Sequence, residues 1–297
     1  MAWPTPMRIE LNEYVHSRKI QLLGRGRNSL PCWVHLPAWL LQCYKPKPST
    51  IDKSFLADVL WGQFCLYLSV RIKDDLLDRD TRSRSLFLAA DLLQLEALRI
   101  FSNHIPRRSA FWALYFDSIR ITTQAMIRAD NLQKTWRGNP GALLKLYAGS
   151  AILKIASAAV CFHFRKGRDF PHASLVFDEL AVAGQLLDDL EDLDADWRRK
   201  RYNSVVRIML GQGKLAFDGR ASSMRRVKRE LVMGGFDRVL QMVLDRIDRA
   251  EKAFRAIRSR AQLPELADAK RRIEHLRDLL HRENVRLFFS RGQGTGR

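Results

Sequence analysis

Two runs of identical form, Asp74-Asp75-Leu76-Leu77-Asp78 and Asp188-Asp189-Leu190-Glu191-Asp192, each close a long apolar stretch, and the second continues to Asp194 and Asp196. Both have the pattern Asp-Asp-x-x-Asp. On a helix Asp74 and Asp78 lie one turn apart on one face, as do Asp188 and Asp192 and then Asp192 and Asp196, roughly 6 Å along the axis. Like charges so spaced repel by roughly 0.2–0.5 kcal/mol per pair. A chain of 297 residues with formal net charge +19 has nevertheless gathered its densest negative charge there. Hard cations between the carboxylates turn that repulsion into attraction. Mg²⁺ suits the task, because it takes one or two carboxylates and leaves its other positions to water and phosphate oxygens. For either run alone, a solvated acidic face on an amphipathic helix explains the pattern equally well.

The flanks shift the balance. Upstream of the first run the same stripe carries Leu60, Phe64, Tyr67 and Val70; upstream of the second, Ser174 to Leu187 is mostly apolar, broken chiefly by Asp178-Glu179 and Gln185. Helices apolar over most of their surface are buried. The small residues Ala181 and Gly184 lie near the face that carries Asp188 and leave room for something other than side chains. Both runs are therefore expected at the rim of an internal apolar pocket, where two facing clusters would hold a diphosphate through bridging metals.

Proline and glycine punctuate an otherwise helical chain. Helices are expected at about 31 to 44, 52 to 78, 84 to 103, 109 to 135, 140 to 165 and 172 to 196, then at about 203 to 211, 219 to 233, 236 to 261 and 264 to 290. The connections are short, so the expected architecture is all-α: a single-domain bundle of about ten helices around a central apolar cavity, spanning residues 30–290. Residues 1–29 are expected as an N-terminal arm and 291–297 as a disordered tail. The most membrane-like segment, Ala148 to Phe164, contains Lys154 and is too short to span a bilayer, so it is expected as a buried helix. Cys32, Cys43, Cys65 and Cys161 are scattered among apolar neighbours, as in reduced cytoplasmic proteins. The seven histidines show no metal-ligand spacing.

Positive charge concentrates at the end of the chain. From Arg198 to Arg297 there are 26 Lys+Arg against 11 Asp+Glu, or +15 of the total +19. A zinc pattern, an aromatic RNA-binding signature and a recognition-helix signal are all missing, so nucleic acid is not the expected partner. Most of these residues are expected as solvated surface, with peripheral contact with an anionic membrane surface or attraction of an anionic substrate as functional alternatives.

With Arg71-Ile72-Lys73-Asp74-Asp75-Leu76-Leu77-Asp78, Leu86-Phe87-Leu88-Ala89-Ala90-Asp91-Leu92-Leu93 and Gly184-Gln185-Leu186-Leu187-Asp188-Asp189-Leu190-Glu191-Asp192, the chain resembles a class I isoprenoid synthase over roughly residues 50 to 210. That superfamily includes trans-prenyl diphosphate synthases, terpene cyclases and squalene or phytoene synthases. The resemblance implies the terpenoid synthase fold and an allylic prenyl diphosphate as substrate, with Mg²⁺, three ions with diphosphate bound, as cofactor. It further implies that the metals assist departure of the diphosphate and that an apolar pocket keeps the carbocation from water. Catalytic residues would be Asp74, Asp75, Asp78, Asp188 and Asp192. Metal ligands would come from these together with Asp189 and Asp196. Terpene cyclases use ligands at i, i+4 and i+8, which Asp188, Asp192 and Asp196 also satisfy, so Asp189 and Asp196 compete for the third place. Arg71, Lys154, Arg198, Lys200, Arg201 and Tyr202 would contact the diphosphate. Phe64, Tyr67, Ser69, Val70, Ala181 and Gly184 would line the pocket, with Trp61 as a further wall candidate.

Departures from the pattern bear on the reaction. Chain-elongating synthases carry a Gly-Lys-Arg motif and an Arg-Arg-Gly for isopentenyl diphosphate, and the nearest pieces here are Gly24-Arg25-Gly26-Arg27, Arg82 and Arg84. Where a middle helix usually supplies a Lys-Thr pair, this chain has Ser150-Ala151, with Lys154 one turn on. Terpene synthesis, by cyclisation or diphosphate elimination, is therefore expected slightly ahead of a prenyltransferase that adds isopentenyl diphosphate or condenses head to head. A non-catalytic partner subunit of the same fold is the alternative from another class. A homodimer is compatible with either.

Overall fold

The central helix is set up at its first turn. In the computed structural model, which describes residues 5–17, 34–77, 81, 83–135, 147–199, 203–210, 221–258 and 263–292, the chain leaves the Lys45-to-Pro48 break and enters a reciprocal cap. The Ser49 amide donates to Asp52 Oδ2 at 2.8 Å, and the Asp52 amide donates back to Ser49 Oγ at 3.2 Å. This satisfies amides that a helix start leaves unpaired. Helix α3 then runs over Thr50–Leu77, 28 residues, about 42 Å at the usual rise. It buries Phe55, Val59, Phe64, Cys65, Leu66, Leu68 and Ile72.

Before it come α1 (Thr5–Ser17) and α2 (His35–Tyr44); after it come α4 (Arg84–His104) and α5 (Phe111–Thr135). A 3-10 stretch at Tyr147–Lys154 leads into α6 (Ile155–His163), and α7 follows at Phe170–Glu191. Next are α8 (Leu193–Arg199), α9 (Ser204–Leu210), α10 (Ala221–Glu230), a π-helical segment at Leu231–Gly235, α11 (Phe236–Ile257) and α12 (Pro264–Gly292). Among the described residues no strand occurs, so the all-α expectation is met.

The helices gather into two compact units. Residues 1–26, 32–128 and 148–177 form the first, and most of the second runs from residue 178 onward, the division falling within α7 after Phe177. In the first unit α3 packs along α4. Gly62 permits the approach, since a Cβ there would meet the Phe101 ring at 3.2 Å and the Ile100 side chain at 3.3 Å. Phe101, Phe111 and Tyr115 extend this core, the Phe101 ring meeting Tyr115 edge to face and Phe111 at a tilt, with α5 carrying the last two. Gln63, buried within α3, donates to the Ile152 carbonyl at 3.1 Å and accepts from the Ala156 amide at 2.9 Å, fixing the point where the 3-10 stretch becomes α6. By length and composition α3 could cross a membrane, yet 56% of its apolar window is buried inside the protein.

In the second unit α11 buries Val239, Leu240, Val243, Leu244, Ile247, Ala250 and Phe254 at helical spacing and packs on α12. Glu179, which interrupts the apolar run of α7, is itself buried and is held by Arg246 of α11 at 2.9 Å. A buried carboxylate is tolerated there only because its charge is paired.

Several boundaries differ from the sequence expectation. The N-terminal arm contains a helix, α1, with Met7 and Tyr14 buried. Its Glu10 accepts hydrogen bonds from Ser83 and Ser85, which anchors it at the start of α4. The expected helix 172 to 196 bends at Asp192, between α7 and α8. Helix α12 continues through Gly292, past the expected start of the tail; residues 293–297 are outside the described residues. Cys65 and Cys161 are buried free thiols, pushed up to about 12 chiefly by burial.

Candidate active site

Helix α3 delivers the first acidic run at its C-terminal end, behind a series of aromatic rings. Trp61 stacks on Phe64 with centroids 5.6 Å apart, and Phe64 lies 6.5 Å from Tyr67. Phe64 and Ser69 are buried, Tyr67 and Val70 half-buried, and Trp61 exposed. One turn later Arg71 reaches both aspartates, 3.4 Å from Asp75 and 4.0 Å from Asp74. Although burial opposes the charge on Arg71, the neighbouring Asp75, Tyr67, Tyr14 and Asp74 hold its guanidinium above its ordinary range. Asp75 is buried and accepts a hydrogen bond from the Tyr14 hydroxyl at 2.9 Å. Asp74 is 42% exposed. Lys73 turns away to Asp91 and Gln94 of α4, at 2.9 and 3.1 Å. Asp78 is outside the described residues. Lys154, in the same unit, donates to Ser174 Oγ at 2.9 Å.

The second run, in the other unit, shares this alternation of outward and inward aspartates. Asp189 is buried and accepts from the Ser204 amide at 2.6 Å and from Gln185 at 2.8 Å. Burial outweighs these hydrogen bonds and raises its carboxyl above the ordinary range. Asn203, fully buried, donates to the Asp189 carbonyl at 2.7 Å and to Asp196 Oδ2 at 3.0 Å, while its own side-chain oxygen caps α9 by accepting from the Val206 amide at 3.1 Å. Asp189 and Asn203 together therefore close the N-terminus of α9. Asp188 and Asp192 are exposed, and Asp196 is half-buried. The backbone bonds from Asp192 to Asp188 and from Asp196 to Asp192 persist through the bend, at 2.8 and 2.9 Å, so the i, i+4, i+8 series keeps its helical spacing.

Asp188 is exposed to solvent yet partly enclosed by surrounding protein. That desolvation, followed by Glu191, Asp189 and Asp192, pushes its carboxyl up to about 6. Crowding of this kind is relieved by a cation or a proton. Gly184, one turn before Asp188, faces open space, since nothing lies within 4 Å of where a Cβ would stand, and Ala181 is half-buried. Arg198 is exposed and donates to the Asp194 carbonyl at 3.1 Å. Lys200, Arg201 and Tyr202 are outside the described residues.

Among the described residues no three His, Cys, Asp or Glu side chains converge closely enough to hold a metal by themselves. The donor set fits Mg²⁺ in another way, because hard carboxylate oxygens placed in ones and twos leave positions for water and phosphate oxygens. Tyr14 and Asn203 are not anticipated as partners of the aspartates. Tyr14 lies 61 residues from Asp75 and gives no local signal. An Asn directly before the apolar start of α9 is, by contrast, a recognisable cap.

No protein-family model matches this chain, and no curated protein matches it in sequence. Solved structures do. An octaprenyl pyrophosphate synthase from Helicobacter pylori superposes with a TM-score of 0.62 at 11% identity, covering 91% of this chain and 97% of the other. The apo form of an Arabidopsis medium/long-chain length prenyl pyrophosphate synthase gives 0.60 at 13% identity, over 94% and 97%. A geranylgeranyl pyrophosphate synthetase from the archaeon Geoglobus acetivorans gives 0.63 at 14% identity, over 91% of each. At such identities the likeness is one of fold, and it bears out the resemblance to the isoprenoid synthases at that level: the chain has the all-α fold of the trans-prenyl diphosphate synthases.

Proposed function

We propose that this protein is a Mg²⁺-dependent class I isoprenoid synthase that ionises an allylic prenyl diphosphate. The observation that carries this reading is the presence of outward aspartates at the ends of two apolar helices, Asp74 on α3 and Asp188 with Asp192 at the end of α7, in a chain with the prenyl synthase fold. Asp74 and Asp78 would hold metal from the first run, and Asp188, Asp192 and Asp196 from the second. When bound, Mg²⁺ supplies Lewis-acid stabilisation of the departing diphosphate. Asp75 and Asp189 serve as positioning residues: one orients Arg71 and Tyr14, the other fixes the start of α9. Arg71 stands beside Asp74 as a cation for diphosphate oxygens, and Phe64 and Tyr67 line the route of the hydrocarbon tail and exclude water.

Two products remain in competition. The inward turn of Asp189 supports the cyclase-like ligand series Asp188, Asp192, Asp196 and with it terpene synthesis. The likeness of fold to three prenyl synthases supports chain elongation with isopentenyl diphosphate. Incubation with Mg²⁺ and geranyl, farnesyl or geranylgeranyl diphosphate, each with and without isopentenyl diphosphate, separates them by product mass. A hydrocarbon or alcohol formed without isopentenyl diphosphate identifies a terpene synthase, and growth by five-carbon units identifies a transferase. No release of diphosphate from any of the three would refute the proposal and favour a non-catalytic member of the fold.

A further inference from the structure

Helix α10 has a divided surface. Met224 and Val227, with Leu231 just past the end of the helix at the same spacing, are buried, whereas Arg225, Arg226 and Arg229 on the opposite side are exposed. Glu230 is exposed as well. Lys228 is drawn aside to Asp194, at 2.9 Å. Beyond the arginines the helix loosens into the π-helical segment, and Val232 and Met233 point outward, 46% and 75% exposed. Gly234 then turns the chain with φ +110°, a conformation that L side chains rarely adopt, and Gly235 is pressed against Met209 and the Glu230 carbonyl, where a Cβ would not fit. The Val-Met tip is thus held in place by the turn behind it.

We propose that this face of α10, with the Val232-Met233 tip, docks the protein on an anionic lipid bilayer. Three arginines on one side of a helix match the negative surface of such a membrane, and the exposed valine and methionine fit the headgroup–acyl boundary, which accepts apolar side chains a few ångströms deep. A nucleic-acid backbone would match the arginines but leave both apolar side chains in water, so lipid is the better complement. The charge of the whole chain, +19, adds long-range attraction to the same kind of surface. The Lys228–Asp194 pair ties α10 to the segment just after Asp192. If the proposed function also holds, docking would bring the second acidic run close to the membrane surface, into which the apolar tail of an allylic diphosphate would partition. The docking itself does not depend on that function.

The test is co-sedimentation of the full chain with vesicles of phosphatidylcholine alone and of phosphatidylcholine mixed with phosphatidylglycerol. Binding is expected only to the mixed vesicles and should weaken with salt. The triple variant Arg225→Gln/Arg226→Gln/Arg229→Gln should bind about a hundredfold more weakly, on the scale of roughly fivefold per arginine. A control with the same loss of charge on the exposed side of α11, Arg249→Gln/Lys252→Gln/Arg255→Gln, should stay within about fivefold of the parent. Val232→Ser/Met233→Ser should lose binding several-fold with an unchanged salt dependence. Equal losses in the two triple variants would show that bulk charge alone is at work and overturn the proposal. So would equal binding to both vesicle types, an absence of vesicle binding, or DNA binding in place of vesicle binding that the α10 triple variant abolishes.

Discussion

In each acidic run the leading aspartate looks out and its neighbour looks in. Asp74 is part-exposed while Asp75 is buried beneath Tyr14 and Arg71; Asp188 opens to solvent while Asp189 is buried against the first turn of α9. The electrical settings then diverge. Arg71 stands within 4.0 Å of both Asp74 and Asp75, so the charge of this pair is partly answered by the protein. In the second run, partial burial of Asp188, followed by the nearby Glu191, Asp189 and Asp192, pushes its carboxyl up to about 6. Two stretches of the same pattern therefore differ in their electrostatic surroundings, and under the proposed function the second run is the one expected to respond more to an outside cation.

The largest effect that could break this comparison is on catalysis. Asp188→Asn should reduce Mg²⁺-dependent release of diphosphate by about a hundredfold, since loss of even the outer partners of metal ligands costs about 10–100-fold. Asp189→Asn should act mainly on stability. Next in size is the cost of removing the inward carboxylate. Asp189→Ala strips the Ser204 amide and Gln185 of a buried acceptor and should destabilise the fold by about 2–3 kcal/mol, a drop of several degrees in thermal denaturation, whereas Asp188→Asn should leave the transition at pH 7 unchanged or raise it. Smaller again, Tyr14→Phe removes the hydroxyl that donates to buried Asp75 and should cost about 1–2 kcal/mol, measurable by urea unfolding. An equal cost for Asp188→Asn would erase the distinction between outward and inward positions.

The smallest effect is the dependence on pH. Asp188 has a folded pKa of about 6 against 3.8 for the ordinary group, so the folded state holds its proton the more tightly. The group therefore favours the fold most below about pH 4, and that contribution is lost as pH rises through about 6. Without metal, the melting temperature of the parent should fall relative to Asp188→Asn across this window, as differential scanning calorimetry would record. Stabilisation by Mg²⁺ with inorganic diphosphate should grow over the same interval, because the metal displaces the proton.

What the sequence reveals is mainly what is local. The acidic spacing, the breaks at Lys45-to-Pro48 and Phe170-Pro171, and the burial of the α3 and α7 stretches all follow from residues within a few turns of one another. Asp178-Glu179 looks like a polar interruption until Arg246, 67 residues away from Glu179, pairs with it. Tyr14 falls in a segment whose mixed composition suggests a loose arm, and its bond to Asp75 is invisible without the tertiary fold. Asn203 announces a helix cap, yet its second bond, to Asp196, depends on the bend at Asp192. The sequence leaves Asp189 and Asp196 both open as the third ligand because both spacings are legitimate, and the burial of Asp189 is what the proposed series Asp188, Asp192, Asp196 rests on.

The most direct measurement is the thermal shift produced by Mg²⁺ with inorganic diphosphate at pH 7.5 or so, above the titration of Asp188, compared among the parent, Asp188→Asn and Asp189→Asn. If the outward aspartates of the second run hold the metal, the parent should be stabilised by several degrees, Asp188→Asn should show no shift, and Asp189→Asn should start lower but keep its shift. A full shift in Asp188→Asn together with its loss in Asp189→Asn would contradict the account.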